Sequence, residues 1–175
     1  LDPTVDFISV DRHEPCMIDL EFVGPDEAET ISEIAYPLFY EVYGYEPEDV
    51  VREFLEDNQS PDAIRRQMSE GIRYAFIMYD SERAGYVAFG IAGESMALSK
   101  LYLFGEFRGR GIGTRILQMV EDLARSDGIS TVRLDVNVEN SGALRLYERS
   151  GYVAKGRTGL HNRRLVMEKR LGSDL

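Results

Sequence analysis

Apolar and polar residues alternate along short stretches of the chain, and each stretch predicts a β-strand. The alternation is cleanest in TVRLDVNV, residues 131–138, where every second residue is valine or leucine. Further strands are predicted at residues 17–23, 73–79, 84–93, 100–104, 152–155 and 164–169. The polar sequence DSER between two of these runs predicts that the strands at 73–79 and 84–93 form a hairpin.

Apolar residues three or four positions apart predict helices between the strands. One helix is expected at about residues 61–70, because Ser60 can cap it and Pro61 suits its first turn. Others are expected from residue 112 to about 127 and from residue 140 to about 150. Segment 26–43 also has helical spacing, but Pro37 lacks the N–H group that a helix needs there. We therefore expect two short helices in that segment.

The order of these elements predicts an α/β (α+β) fold, with a mixed, mostly antiparallel sheet and helices on both faces. Hairpins pair strands antiparallel, while the strand, helix, strand order at 100–138 forces local parallel pairing. A chain of 175 residues with 43% apolar residues can bury the core of one domain. We place that domain at residues 17–175, after an N-terminal extension at residues 1–16 that forms either a tail or a homodimer contact.

Composition limits the function classes. Cys16 is the only cysteine, so the chain has neither an internal disulfide nor a set of thiol ligands for zinc, and we expect no metal. No apolar run approaches the roughly 18 residues of a membrane span, and the first ten residues do not resemble a signal peptide. We therefore expect a soluble cytoplasmic protein without a membrane partner.

Charge is distributed unevenly along the chain. The net charge of -11 divides into -16 for residues 1–99 and +5 for residues 100–175. Within residues 26–62, twelve carboxylates accompany one basic residue, Arg52. Like-charge repulsion therefore argues against nucleic acid binding by that segment. Its acidic surface is either simply solvated or attracts a cationic partner.

The sequence GEFRGRGIGTR, residues 105–115, lies between a predicted strand and a predicted helix. Glycines allow a tight turn that brings backbone N–H groups close to a ligand, in front of the positive end of the helix dipole. This arrangement favours an anion such as a diphosphate. The spacing matches neither a nucleoside triphosphate loop nor a dinucleotide fingerprint, which leaves another nucleotide-derived cofactor. The alternative is a tight turn with solvated arginines.

A second motif, NSGALRLYERSGY, occupies residues 140–152. Asn140 can cap the helix, and Tyr147 lies one turn beyond Ala143 on the same face. A phenol there can reach a ligand held by the preceding loop, although a helical tyrosine is also typical of core packing.

The two motifs together resemble those of the GCN5-related N-acetyltransferase (GNAT) superfamily. Residues 108–113, RGRGIG, match its R-x-x-G-x-G or A signature, and residues 140–152 match its N-x-x-A-x-x-x-Y-x-x-x-G-F pattern at the usual separation. The similarity covers roughly residues 17–170. It implies acetyl-coenzyme A as cosubstrate, with the backbone of Leu101, Tyr102 and Leu103 pairing with the pantetheine arm.

The resemblance also implies roles for the glycine loop and the following helix. The backbone of Arg108, Gly109, Arg110, Gly111, Ile112, Gly113 and Thr114 is expected to hold the pyrophosphate. Asn140 is expected to contact the pantetheine, and Tyr147 to lie near the thioester sulfur. Because a phenol stays protonated at neutral pH, Tyr147 suits the role of acid for the departing thiolate.

The general base is harder to assign. Many relatives carry a glutamate on the strand before the loop, where this chain has Ser99. We expect Asp135 to accept the proton, directly or through water, because relatives that acetylate protein N-termini carry a catalytic glutamate there. The alternative for Asp135 is an ion pair with Arg133 on the same strand face.

Family resemblance places the choice of acceptor in the first two helices and the last hairpin. Residues 36–50, YPLFYEVYGYEPEDV, combine aromatic and acidic side chains, which favours a small cationic amine such as a polyamine. Tyr36 and Tyr40 are the expected substrate contacts, unless they pack in the core. The alternatives are acetylation of a protein or peptide α-amine, suggested by Asp135, and a coenzyme A-binding sensor without turnover.

Overall fold

A computed structural model describes residues 16–172 of the chain. Apart from Cys16, the predicted N-terminal extension and its predicted dimer contact lie outside the described residues. A seven-stranded sheet forms the centre of the fold, in the order β1-β2-β3-β4-β5-β7-β6. The strands are β1 (Ile18–Val23), β2 (Arg73–Tyr79), β3 (Glu82–Ala92), β4 (Ser95–Leu103), β5 (Thr131–Asn137), β6 (Val153–Thr158) and β7 (Arg164–Arg170).

Every neighbouring strand pair is antiparallel except β4 and β5, which run parallel. The predicted mixed, mostly antiparallel sheet is therefore confirmed. β4 begins at Ser95, five residues before its predicted start at residue 100. The reason is that residues 95–98, which precede the apolar run KLYLF, also pair with β3.

Five helices connect the strands, and they are α1 (Ala28–Tyr43), α2 (Glu48–Gln59), α3 (Pro61–Ser69), α4 (Ile112–Ser126) and α5 (Ser141–Arg149). Ser60 caps α3 as predicted, since its hydroxyl accepts a hydrogen bond from the N–H of Ala63 at 3.2 Å. The highly charged helix α2 has no counterpart in the sequence prediction, because its apolar face is short, with Val51 and Leu55 buried and Phe54 partly buried.

The prediction that Pro37 divides the first helical segment is wrong, because α1 continues through it. Pro37 lies on the exposed side of α1. The opposite side forms an unbroken apolar stripe from Ala28 and Ile31 to Ala35 and Leu38, each at most 1% exposed. A proline inside a helix costs roughly 3 kcal/mol. Burial of the apolar stripe before and after Pro37 offsets this cost.

Helices cover both faces of the sheet, as expected. α1 and α3 pack on the face that presents Tyr74, Phe76, Tyr86 and Ala88. On the other face, α4 and Tyr147 of α5 pack against Ala75, Ile77, Val87, Phe89 and residues of β4 and β5.

β4 and β5 pair at one end and separate at the other. Cα partners between them are Met96 with Val132 and Ala97 with Arg133. A bulge follows at Ser99, where the register of β4 against β3 shifts. Beyond the bulge, residues 101–103 pair with β3 but with no residue of β5, which opens a gap between the two parallel strands.

Candidate active site

A cavity of about 530 Å³ lies at the gap between β4 and β5, within the size range of small-molecule sites. Two helices and the glycine loop complete its wall. Its lining residues are Val42, Leu101, Tyr102, Leu103, Arg108, Gly109, Gly111, Ile112, Gly113, Thr114, Asn140, Gly142, Ala143, Arg145, Leu146, Tyr147 and Arg149. We call residues 101–103 and 108–114 the loop end of the cavity, and the surroundings of the Tyr147 hydroxyl the phenol end.

Backbone geometry at the loop end explains two of its glycines. Gly109 and Gly111 have φ angles of +73° and +77°, a region that residues with a Cβ adopt at a cost. Gly111 precedes α4 and offers no side-chain cap to the helix. Arg115 makes the first hydrogen bond of the helix, from its N–H to the carbonyl of Gly111 at 3.2 Å. The N–H groups of residues 112–114 therefore lie at the cavity without a partner inside the helix.

Gly113 serves a different purpose, because it brings two helices together. A Cβ at this position would lie 2.9 Å from Cδ2 of Leu146 on α5. The third glycine of the motif therefore permits close packing of α4 and α5 and so fixes one wall of the cavity.

The arginines of the loop are not placed alike. Arg108 lines the cavity, and its Nε donates to the carbonyl of Leu103 at 3.0 Å while its Nη2 pairs with Glu41 at 3.0 Å. Arg110 is not among the lining residues, and its guanidinium lies 5.6 Å from the ring centre of Phe107. Any contribution of Arg110 to a ligand in this cavity would come from its backbone.

Residues 101–103 leave one edge of β4 free, since they pair only with β3 among the described strands. Tyr102 is fixed by stacking on Tyr86, with the ring centres 5.4 Å apart. A strand edge with free N–H and C=O groups can bind an extended amide-containing chain as an added strand.

Tyr147 lies at the other end of the cavity and is only 8% exposed. Its ring packs edge-on against Tyr152 with the centres 5.9 Å apart. Burial raises the pKa of the Tyr147 phenol above its usual value, as do nearby Tyr43 and Asp135, while Arg164 lowers it. The hydroxyl therefore stays protonated at neutral pH and can donate a proton to a ligand in the cavity.

Asp135 pairs with Arg164 and not with Arg133, so the alternative drawn from the strand pattern names the wrong partner. The Asp135 carboxylate accepts a hydrogen bond from Nε of Arg164, and Nη2 of the same arginine donates to the Asp135 carbonyl at 3.1 Å. Arg133 instead pairs with Glu168 at 3.3 Å. The cause is the β5–β7 register, which brings the start of β7 beside the end of β5.

Arg163 joins three segments of the chain beside the phenol end, in what we call the Arg163 bridge. Its Nη2 lies 2.7 Å from carboxylate oxygens of both Glu46 and Glu139. Partial burial and the neighbouring Glu139 raise the pKa of the Tyr45 phenol to about 12. The sequence gives no signal for these contacts, because the three segments are far apart in the chain.

Asn140 and the two tyrosines of α1 complete the predicted residues. Asn140 lines the cavity and caps α5, since its Oδ1 accepts from the N–H of Ala143 at 3.2 Å. Tyr36 packs near Phe39, Val51 and Leu55, and Tyr40 is 40% exposed. Neither tyrosine is among the cavity-lining residues, so their contact with a substrate stays a prediction.

Six lining residues lie outside the sequence-based assignment: Val42, Ala143, Leu146, Gly142, Arg145 and Arg149. The signal for the last three is their spacing on α5, which places them on one helix face. Within residues 16–172, no cluster of three or more His, Cys, Asp or Glu side chains could hold a metal ion. Among the helices of the same residues, none has the length and apolarity needed to span a membrane.

Comparison with known proteins supports one family. The sequence model of the acetyltransferase (GNAT) family matches residues 28–152. The spermidine N(1)-acetyltransferase of Thermoplasma acidophilum is 24% identical over 162 residues, which cover 89% of this chain and 99% of that protein.

Two crystal structures share the fold. The PaiA N-acetyltransferase of Thermoplasma acidophilum, in complex with coenzyme A, gives a TM-score of 0.76 at 24% identity, covering 88% of this chain and 99% of that one. The aminoglycoside acetyltransferase AAC(6′)-Ib, also with coenzyme A, gives 0.66 at 16% identity, covering 88% and 95%. The chain therefore belongs to the acetyltransferase (GNAT) family and is an N-acetyltransferase that uses acetyl-coenzyme A.

Proposed function

We propose that the chain acetylates a primary amine of a small cationic compound such as a polyamine. The observation that carries the proposal is the chemistry of the phenol end, where Tyr43, Arg164 and Asp135 lie close enough to shift the pKa of Tyr147. Aromatic faces and carboxylates attract alkylammonium groups. The similarity to a spermidine N(1)-acetyltransferase over nearly the whole of both chains supports the same class of acceptor.

We assign the coenzyme to the loop end of the cavity. The free edge of residues 101–103 suits the two amides of the pantetheine arm, and Asn140 lies on the opposite wall. The unpaired N–H groups at the start of α4, with the helix dipole behind them, suit the diphosphate. This placement brings the thioester towards the phenol end, because the cavity extends from the loop to Tyr147.

The reaction needs two proton transfers. The neutral amine attacks the thioester carbonyl carbon, a C–N bond forms, and the C–S bond breaks as the tetrahedral intermediate collapses. Tyr147 donates its proton to the departing thiolate, and backbone N–H groups of residues 101–103 stabilise the carbonyl oxygen. Asp135 accepts the proton that the amine nitrogen loses, through water, and that proton is passed on to solvent while the phenolate regains one.

The ion pair with Arg164 defines how Asp135 can act. Arg164 holds the carboxylate through Nε and the Asp135 carbonyl through Nη2, and 47% of the Asp135 side chain remains exposed, although Asp135 is not among the cavity-lining residues. A water molecule can therefore reach the carboxylate. The same position also fits a peptide α-amine, which is the second candidate acceptor because Asp135 lies near the Tyr147 hydroxyl.

The test is acetyl transfer to matched amines. Cadaverine and pentylamine share a five-carbon chain and differ by one ammonium group. We expect cadaverine and spermidine to give kcat/KM values at least about tenfold above that of pentylamine, with the advantage reduced by salt. Equal values for cadaverine and pentylamine would remove the charge argument. Preference for a short peptide with a free α-amine would support the second candidate.

A further inference from the structure

Arg145 and Arg149 lie on α5 and line the cavity. They are four residues apart on one face of the helix. Leu146, next to Arg145, contacts Gly113 in the first turn of α4. The helix that carries both arginines therefore packs on the helix start that we assign to the diphosphate.

These two arginines differ from the others around the cavity in having no carboxylate partner. Arg108 pairs with Glu41, Arg163 with Glu46 and Glu139, and Arg164 with Asp135. Neither Arg145 nor Arg149 forms a salt bridge with any carboxylate in the part of the chain that the structure describes. In a chain with a net charge of -11, two unmatched cations on one cavity wall indicate an anionic ligand.

Coenzyme A carries two separate anionic groups. The diphosphate links the pantetheine arm to the ribose, and a phosphate monoester is attached to the ribose 3′-oxygen. With the diphosphate assigned to residues 112–114, the ribose is the next group along the ligand, and α5 packs beside this segment and lines the same cavity. Arginine suits this group because its planar guanidinium binds two phosphate oxygens at once.

We propose that Arg145 and Arg149 bind the ribose 3′-phosphate and so make the protein select coenzyme A over its 3′-dephospho form. This inference rests on the placement of the coenzyme proposed above, but uses nothing about the amine. It assigns to α5 a binding role in addition to its support of Tyr147.

The test compares two ligands in calorimetry with the intact protein. Coenzyme A and 3′-dephospho-coenzyme A differ only in the phosphate. For the unmodified chain we expect the dephospho form to bind about tenfold more weakly. The double substitution Arg145→Gln with Arg149→Gln should bring the two dissociation constants close together, by weakening coenzyme A and leaving the dephospho form unchanged.

Matched variants separate specific binding of the 3′-phosphate from a general effect of positive charge. Arg157→Gln removes one exposed positive charge from β6, outside the cavity, and should leave the ratio of the two dissociation constants unchanged. Replacing both α5 arginines with lysine should keep part of the preference, because lysine retains the charge but not the two-point contact.

Two results would overturn the inference. A ratio near one in the unmodified protein would show that the phosphate is not bound, and a ratio that survives the double substitution would place it elsewhere. Tight binding of both ligands in either case would leave the coenzyme placement intact. Failure to bind either ligand would overturn the placement as well.

Discussion

The loop end of the cavity presents main-chain groups, whereas the phenol end presents side chains held in ion pairs. At the loop end, the start of α4 and the free edge of β4 supply N–H and C=O groups. At the phenol end, Arg164 holds Asp135, and Arg163 joins Glu46 to Glu139. The pantetheine arm and diphosphate of the coenzyme, which do not vary, are thus assigned to the backbone, and the variable amine to side chains.

This difference has consequences for mutation. Every residue except proline supplies the same backbone groups, so a main-chain site tolerates most substitutions unless they change backbone geometry. A site made of ion pairs changes when any one partner changes, because the remaining charge loses its neutralising neighbour. We therefore expect the loop end to be sensitive at its glycines and the phenol end to be sensitive at individual side chains.

The largest effect is expected at Tyr147. Tyr147→Phe keeps the ring and its packing against Tyr152 but removes the proton donor. Turnover should fall by about 100-fold while the dissociation constant for acetyl-coenzyme A stays unchanged. Because the pKa of this phenol is raised, the unmodified enzyme should show no alkaline loss of turnover from Tyr147 below about pH 10.

Tyr152→Phe is the matched control for this loss. The Tyr152 hydroxyl donates to the buried carboxylate of Glu121 at 3.2 Å and is not part of the cavity wall. Its removal should lower the free energy of unfolding by about 1 kcal/mol and leave turnover in place. Equal turnover of Tyr147→Phe and the unmodified enzyme would exclude Tyr147 as the acid.

At the loop end, Gly111→Ala tests whether backbone geometry carries the binding. An alanine at φ +77° is strained by about 1 to 2 kcal/mol, and relief of the strain would turn the N–H groups away from the cavity. The dissociation constant for coenzyme A should rise about tenfold, the equivalent of one hydrogen bond to a charged group. KM for the amine should change little.

Gly128→Ala provides the same strain at a distant place. Gly128 has a φ of +74° and lies just beyond the end of α4, with open space where the Cβ of an alanine would lie. Both variants should lose similar stability in urea unfolding, but only Gly111→Ala should lose affinity for coenzyme A. Equal affinities for the two variants would contradict a main-chain site at the loop.

The two ends also differed in how far the sequence could predict them. The loop end is local: the strand before it, residues 108–114 and the start of α4 are consecutive, and positive φ angles restrict the residues that fit. The motif therefore indicates the anion site directly. Even there, the sequence could not distinguish Gly113, which packs against Leu146, from Gly111, which turns the backbone.

The phenol end depends on contacts between distant segments, which no local pattern encodes. Asp135 lies two residues from Arg133 on one strand face, and the sequence therefore offered that pair. The β5–β7 register brings Arg164 closer instead. Pro37 failed as a predictor for the same reason, because tertiary packing of α1 on the sheet outweighs a local helix-breaking preference.

Arg163→Met tests the ion pairs at the phenol end. Loss of the guanidinium leaves Glu46 and Glu139 facing each other, so the α1–α2 loop and the segment between β5 and α5 should separate. KM for the amine should rise about fivefold, while affinity for coenzyme A is unchanged. Arg157→Met is the control for loss of an exposed arginine, and Arg163→Lys should recover part of the effect.

The opposite sign for Arg163→Met would also be informative. A lower KM for cadaverine would mean that Arg163 competes with the cationic amine for the two carboxylates, and it would contradict the role of the bridge in positioning the loops. Salt would distinguish the two cases further, since attraction by unpaired carboxylates weakens as ionic strength rises.

The smallest effect on catalysis is expected at Lys100, which precedes residues 101–103 and is 8% exposed. Its ammonium donates to the carbonyl of Asn58 at 2.6 Å, to Oε1 of Gln67 at 2.9 Å and to the hydroxyl of Tyr74 at 2.6 Å. These neutral acceptors tie β4 to the helices on one face of the sheet. Burial lowers the pKa of Lys100 to about 7.

The sign of the resulting pH dependence follows from proton binding. An unfolded lysine has a pKa of about 10.4, so between pH 7 and 10 the unfolded chain holds more of this proton than the folded chain. The free energy of unfolding should therefore rise with pH in this window, by at most about 1.4 kcal/mol per pH unit. Lys100→Met should remove that rise in urea unfolding at pH 7, 8 and 9, whereas Lys155→Met on the exposed strand β6 should keep it. If the unmodified chain and Lys100→Met gave parallel curves, the buried ammonium would not be the source, and the link between β4 and the helices would be independent of its charge.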